Sequence, residues 1–369
     1  MKRISTLILV VAGFTLTANA QTSGFYHVQN TYTDRYMIMT DNTKGATVSG
    51  TPDLAAITTS KDKDNVFTHP GAVCYIENVG GNKVDVKAQN TGLHDVSKLY
   101  ANVKQSSNGY ELYGTAQGIT IYLGDKLNSG ATDSWLVEAG NNNRYWNLLP
   151  IDNSSEYIGI KPDVQDGDGN WWGSIYCGFS FKLQSSGMEV WYVDAANGDN
   201  FSLKQWTNDV VPATMPVLIK CSSKDYANNK IKPVTDNVSE AKYATDYHLY
   251  GVYFDRGEAY NGDKHIHRTD YDSNTMRVIG VSSGKLVFEK ASSSYLTNGA
   301  YLPHNKCYLN VPSGASSTLT NGTVGIRNIT AENQQLNEGT YNLAGQRMAD
   351  GETLRPGIYI KDGKKVVIK

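Results

Sequence analysis

The sequence predicts an all-β protein assembled from short paired strands. Tyr, Val, Ile and Thr fall in short runs broken by Gly and Asn, and the 369 residues include 24 Tyr and 35 Gly, the residue types that favour pleated strands and the turns between them. Long segments with apolar residues at helical spacing are nearly absent. Strand–turn–strand units also recur along the first half of the chain. The elements follow in order.

Lys2 and Arg3 precede an apolar run over residues 4–16, and Ala18-Asn19-Ala20 supplies a small-x-small cleavage site. This is the pattern of a secretory signal peptide over residues 1–20, and the run is too short to span a bilayer. No cysteine follows the site, so a lipid anchor there is not expected. The expectation is a mature chain starting near Gln21, soluble and exported, secreted or held at the outer cell surface, with no further transmembrane segment.

Residues 21–165 repeat a hairpin pattern. FYHVQN from Phe25 leads to RYMIM ending at Met39, VCYIEN from Val73 leads to KVDVK ending at Lys87, and YWNLLP from Tyr145 leads to YIGIK ending at Lys161. A hairpin cannot bury its apolar face alone, so a series of them implies a closed barrel. The YHVQN…RYM opening resembles that of ricin-type β-trefoils. The family's Gln-x-Trp signature is absent, so the resemblance implies a β-trefoil-like domain more than a sugar site.

Residues 166–312 supply further strands, among them WWGSIYCGFSFKL from Trp171 and VPATMPVLIK from Val211. Their short lengths and frequent turn signals predict a β-sandwich domain. VPATMPVLIK and LPHNKCYLNV resemble a module of secreted Bacteroidetes proteins that brings no activity with it. Residues 239–243 could make one helical turn. Residues 313–339, rich in Ser, Thr, Asn, Gly and Gln, read as a linker with one short strand at 324–327.

The C-terminal tail, residues 340–369, alternates Ile358, Ile360, Val366 and Ile368 with Tyr359, Lys361, Val367 and Lys369, and places Asp362-Gly363 between the two halves. That is a β-hairpin on a tight type I′ turn. YNLAGQR and GIYIKDGKKVVIK resemble the C-terminal sorting tails of exported Bacteroidetes proteins that use type IX secretion. The resemblance implies recognition by secretion machinery through Asn342, Gly345, Gly357, Tyr359, Gly363, Lys364 and Lys365.

Charge narrows the partners. The chain has 34 basic and 36 acidic residues, a formal net charge of −2, and loss of Lys2 and Arg3 with the leader makes it more acidic. A nucleic-acid partner is not expected of such a surface. Cys74, Cys177, Cys221 and Cys307 are too scattered for a disulfide framework or a Cys-x-x-Cys metal pair, and burial as small apolar side chains is the expectation.

Candidate sites are few. His265 and His267, two apart on a strand, could reach one metal ion with help from Asp263, Asp270 or Asp272; turn polarity explains the same residues. The run from Asp163 to Asn170 fails the EF-hand pattern and reads as a polar turn. Sugar binding needs an aromatic platform beside oriented polar groups, and Asp34, Tyr36, Asn42 and Trp146 supply such types within the first domain. One of Trp171 and Trp172 should be core, because neighbours on a strand point to opposite faces. No catalytic signature is present, and no cofactor is expected. The functional expectation is a non-catalytic binder of glycans or glycoproteins at the cell surface; a secreted glycosidase or peptidase and a structural or adhesin subunit are the alternatives.

Overall fold

A computed structural model describes residues 22–41, 56–89, 102–116, 118–125, 133–138, 142–152, 154–235, 248–252, 269–322, 340–342, 348, 357–361 and 364–368. The leader, Asn42, His265, His267, Gly345, Gly363 and the segments 239–243 and 324–327 lie outside the described residues. The chain is nearly all β, and it divides into two compact units, Met1–Val324 and Gly325–Lys369.

In the first unit, residues up to Pro150 form β1 (Gly24–Asn30), β2 (Tyr36–Asp41), β3 (Ala56–Ser60), a six-residue helix α1 (Lys63–Thr68), β4 (Cys74–Gly80), β5 (Lys83–Ala88), β6 (Asn102–Ser106), β7 (Gly109–Ala116), β8 (Ile119–Asp125), β9 (Asp133–Glu138) and β10 (Tyr145–Pro150). Six strands close on themselves in the order β1-β4-β5-β6-β7-β10, and β10 returns to β1 with Tyr26 opposite Pro150. A second path, β2-β3-β9-β8, joins β1 to β7 outside that ring. Closure removes the unpaired edges that an open sheet would leave to aggregate.

Alternation decides what fills the ring. On β5, Val84 and Val86 are buried while Asp85 and Lys87 are half-exposed. Val28, Cys74, Ile76, Leu112, Leu123 and Trp146 join the two valines in one core. Trp146 is fully buried and donates its Nε1–H to the Leu123 carbonyl at 2.9 Å, which satisfies the only polar atom of its indole. Gly109 passes close over β10 at φ +125°, where a Cβ would lie 2.9 Å from the Trp146 carbonyl oxygen. At one end of the barrel, Asp125 is fully buried with Arg35 3.6 Å away, and it accepts hydrogen bonds from Thr33 (2.6 Å) and Thr59 (2.9 Å). A buried ion pair holds only when its remaining atoms are satisfied in this way.

The rest of the unit comprises β11 (Ile158–Gly159), β12 (Val164–Gln165), β13 (Trp171–Ile175), β14 (Ser180–Leu183), β15 (Glu189–Ala196), β16 (Asn200–Trp206), β17 (Val217–Cys221), β18 (Lys230–Val234), β19 (Leu249–Gly251), β20 (Met276–Ser282), β21 (Lys285–Glu289), β22 (Cys307–Asn310) and β23 (Thr318–Asn321). β11, β18 and β14 make a small sheet; the others form a sheet in the order β12-β13-β17-β15-β16-β23-β21-β20-β22-β19. β17 is buried on both faces: Val217, Ile219 and Cys221 enter one core and Leu218 another. Trp172 packs in the second core and Trp171 against the first, the opposite facing that alternation requires. The first of these cores also contains Val73 and Ile151, so the barrel and the following sheets share buried surface.

Three expectations change. Ile158–Gly159 does not complete the hairpin begun by β10; it pairs with Ile231 and Lys230 of β18. The stretch read as linker from Ser313 contributes β23, whose fully buried Leu319 lies opposite Phe288. Helix α1, absent from the sequence reading, is capped by the Asp62 carboxylate accepting the Asp64 N–H. All four cysteines are buried and none forms a disulfide.

The turn between β12 and β13 is an Asx-type knot. Asp166 accepts from the backbone N–H groups of Asp168 (3.0 Å) and Asn170 (2.8 Å), from the Asn170 side chain and from Trp172 Nε1–H (2.9 Å). Burial tends to raise its carboxyl pKa, but the bonds from Asn170 and Trp172 prevail and hold it below the ordinary 3.8. A depressed folded-state value means stability that is present above the unfolded value and lost as pH falls through the folded one. Asp166→Ala should therefore cost about 1 kcal/mol at neutral pH. The gap in urea midpoint between the two proteins should close as the pH is taken below 3.8.

The second unit contains β24 (Thr340–Asn342), β25 (Gly357–Lys361) and β26 (Lys364–Ile368). Lys361 lies opposite Lys364, the register of a two-residue connection, and Tyr359 is buried. The Tyr341-Asn342 segment adds a third strand, with Tyr341 opposite Ile360.

Candidate functional site

The first unit contains a cleft of about 610 Å³ where α1, the segment after β11 and the loop before β22 converge. That volume suits a small ligand or a few sugar residues. Each wall has a local cause. Asp62, Asp64 and Thr68 come from α1 and its cap, and the Thr68 hydroxyl donates to the Asp64 carbonyl. Asp64 Oδ1 accepts from the Tyr226 hydroxyl at 2.8 Å, which ties the helix to the turn over Tyr226–Asn228. Burial and then Asp64 push the Tyr226 hydroxyl pKa well above its usual value, so this hydroxyl stays a donor. The second wall runs from Gly159 to Asp163. Gly159 sits against the Tyr226 carbonyl with no room for a side chain, and Asn229 holds Ile160 through its backbone and its side chain.

The third wall is the loop Pro303, His304, Asn305 and Lys306. Lys306 Nζ pairs with Asp163 Oδ1 at 2.7 Å, and Asp163 Oδ2 accepts the Ser174 N–H. The His304 ring stacks on His69, centroids 3.8 Å apart and planes 10° from parallel. His69 Nδ1 accepts the Gly71 N–H at 2.9 Å, which assigns the proton of a neutral His69 to Nε2. Asn305 is 4 % exposed and sits at φ +55°, a left-handed conformation that Asn tolerates better than most residues. Its Nδ2 donates to Tyr176 O (2.8 Å) and to Gln89 Oε1 (3.1 Å), and Gln89 Oε1 also accepts the Gly178 N–H. These two acceptors assign the amide orientation, and Asn305 Oδ1 is left buried without a hydrogen-bond partner.

Of the residues anticipated as ligands, the described ones, Asp34, Tyr36 and Trp146, do not line this cleft. Asp34 is an exposed turn residue at φ +57°. Tyr36 is buried between His27 and Phe67, and its hydroxyl reaches Glu156 at 3.4 Å; burial and then Glu156 push its pKa up to about 12. Trp146 belongs to the barrel core and Tyr36 to the cluster around Phe67, so neither ring offers a face to a sugar. Asn42, His265 and His267 fall outside the described residues. Asp272 is engaged in its own turn by Asn274 and Thr275, and the described residues contain no cluster of three metal-binding side chains. His27 and Glu156 form a second polar pair at 2.8 Å, shielded beneath Phe67.

No protein-family model matches this chain. Nor does any curated protein. The functional reading therefore rests on the cleft itself. Its lining offers carboxylates and lysines. The Ser174 hydroxyl is engaged by the Cys307 N–H, and burial pushes the thiols of Cys74 and Cys177 up to about 12, far from nucleophilic.

The stacked imidazoles join the barrel to the loop that carries Asn305. His304→Ala should lower stability by about 0.5–1.5 kcal/mol. His304→Phe, which restores a flat ring, should recover most of it; thermal unfolding of the three proteins checks this.

Proposed function

We propose that this chain is an exported, non-catalytic binding protein that recognises glycans or glycoproteins at the cell surface, and that the cleft beside α1 is the recognition site. The observation that carries this reading is the pre-built polar cavity, with exposed Asp62, Asp64 and Lys161 on its walls. Sugar hydroxyls are donors and acceptors at once and suit such a lining. Tyr157 and Tyr226, half-buried and 6.4 Å apart, supply aromatic surface beside it.

The finer architecture belongs to the same proposal. A six-stranded closed ring with outer strand pairs supports a β-trefoil for the barrel. A sheet with cores on both faces supports a sandwich-derived module after it. The leader sequence supports export, and the β25–β26 register supports a folded sorting tail read by secretion machinery. Among the described residues no helix is long and apolar enough to cross a membrane.

Screening the protein without its leader against an oligosaccharide array should give saturable binding that falls at least tenfold in a Lys161→Glu variant of unchanged thermal stability. Turnover of any of those sugars would favour a hydrolase, and self-assembly without sugar a structural subunit. Deleting residues 340–369 should stop delivery to the surface in cell fractionation.

A further inference from the structure

The seam between the barrel and the cleft loop contains a proton-sensitive atom. Pro70 opens the single turn Pro70–Ala72 without an N–H of its own, so the first backbone donor of that turn is Gly71. His69 caps the turn through Nδ1, which accepts the Gly71 N–H at 2.9 Å. This histidine is 2 % exposed, and the His304 ring lies flat against it.

A second proton on His69 must go to Nδ1, because Nε2 already holds the first. There it would meet the Gly71 N–H, donor against donor. The ring must then swing away from Gly71, and a ring held in a stack cannot swing without breaking the stack. Protonation of His69 and stacking of His304 therefore exclude one another. The stack holds down the loop over residues 303–306, which also docks through the Asn305 N–H on Val252 O (2.6 Å), the Cys307 N–H on Ser174 Oγ (3.2 Å) and Lys306 on Asp163 (2.7 Å).

Charged groups surround the seam. The cap and first turn of α1 bring Asp62 and Asp64, the segment after β11 brings Lys161 and Asp163, and the loop itself brings Lys306. Their carboxylates favour a charge on His304, which lines the same cleft. They do not relieve His69, since what opposes its proton is a donor 2.9 Å from the atom that would receive it. Tyr36, which packs with Ala72 behind the turn, keeps its proton throughout, its hydroxyl pushed up to about 12 by burial and then Glu156. His27, stacked on Phe67 of α1, is paired with Glu156.

We propose that His69 is an acid-operated latch for this loop. At neutral pH its Nδ1 and the His304 stack hold the cleft wall closed; in acid, proton uptake by the freed ring favours the lifted loop. The lifted form binds one proton more than the closed form. By linkage, closure is fully present above the ordinary histidine value, about 6.5, and is lost as the pH falls below it. The ratio of lifted to closed loop should grow about tenfold by pH 5.5. The latch stands whether or not the cleft takes a sugar.

Hydrogen exchange on the leader-free full chain tests this, read by NMR at the Asn305 and Cys307 amides and corrected for the intrinsic pH dependence of exchange. Protection in the unaltered protein should fall about tenfold from pH 7.5 to 5.5. His69→Asn keeps an acceptor for the Gly71 N–H, since Asn bonds the backbone two residues on, and it has no proton to gain. Its protection should be the same at both pH values, even where loss of the ring lowers it overall. His304→Phe keeps a flat ring over His69 and should retain the tenfold response. Unchanged protection in the unaltered protein would overturn the latch. So would a full acid response in His69→Asn, or loss of the response in His304→Phe, which would make His304 the titrating group. Should His69→Asn fail to fold, the response of His304→Phe decides alone.

Discussion

A single amide oxygen, Gln89 Oε1, organises the junction on which the rest of the first unit depends. It receives the Gly178 N–H from one side and the Asn305 side chain from the other. Gln89 itself is buried just past the end of β5, at φ +50°. Barrel, central sheet and cleft loop therefore meet at one buried atom. Apolar surface shared through Val73 and Ile151 supplies the non-directional attraction there. The amide supplies direction, because two donors must arrive at fixed angles to satisfy it.

Much of the strand pattern was legible in the residues. Val84 and Val86 alternate with Asp85 and Lys87, and Trp171 and Trp172 face opposite ways, as a period of two demands. The Asp166 knot could be anticipated from Asp-Gly and Gly-Asn pairs, and the β25–β26 register from Asp362-Gly363. What alternation does not encode is the partner. Ile158–Gly159 has the composition of a hairpin strand, yet it pairs with Lys230–Ile231, some seventy residues away in the chain, and there Ile158 is fully buried. β23 hid inside a Ser- and Thr-rich stretch, where Leu319 alone marks a buried position.

The cleft was less legible still. Asp62 before Lys63-Asp64, with Val66 and Phe67 following, is a helix-start pattern that could have placed α1 and its carboxylates. Asn305 had no such signal: its left-handed backbone and its locked amide arise from partners that are distant in sequence. The aromatic residues favoured as sugar platforms went instead to buried clusters, Trp146 to the barrel core and Tyr36 to the one around Phe67, where they remove more area from water than any surface role would.

The bond between Gln89 and Asn305 spans 216 residues. A contact of that reach sets an order on the birth of the protein: while the chain is still being supplied from one end, the barrel can gather its own strands, but its buried amide waits for a segment not yet delivered. Loops of this size close slowly, and the exposed half of the junction is vulnerable meanwhile. For a chain that would have to cross a membrane before folding, delay is an advantage, since the molecule cannot lock into its final form until almost all of it has arrived.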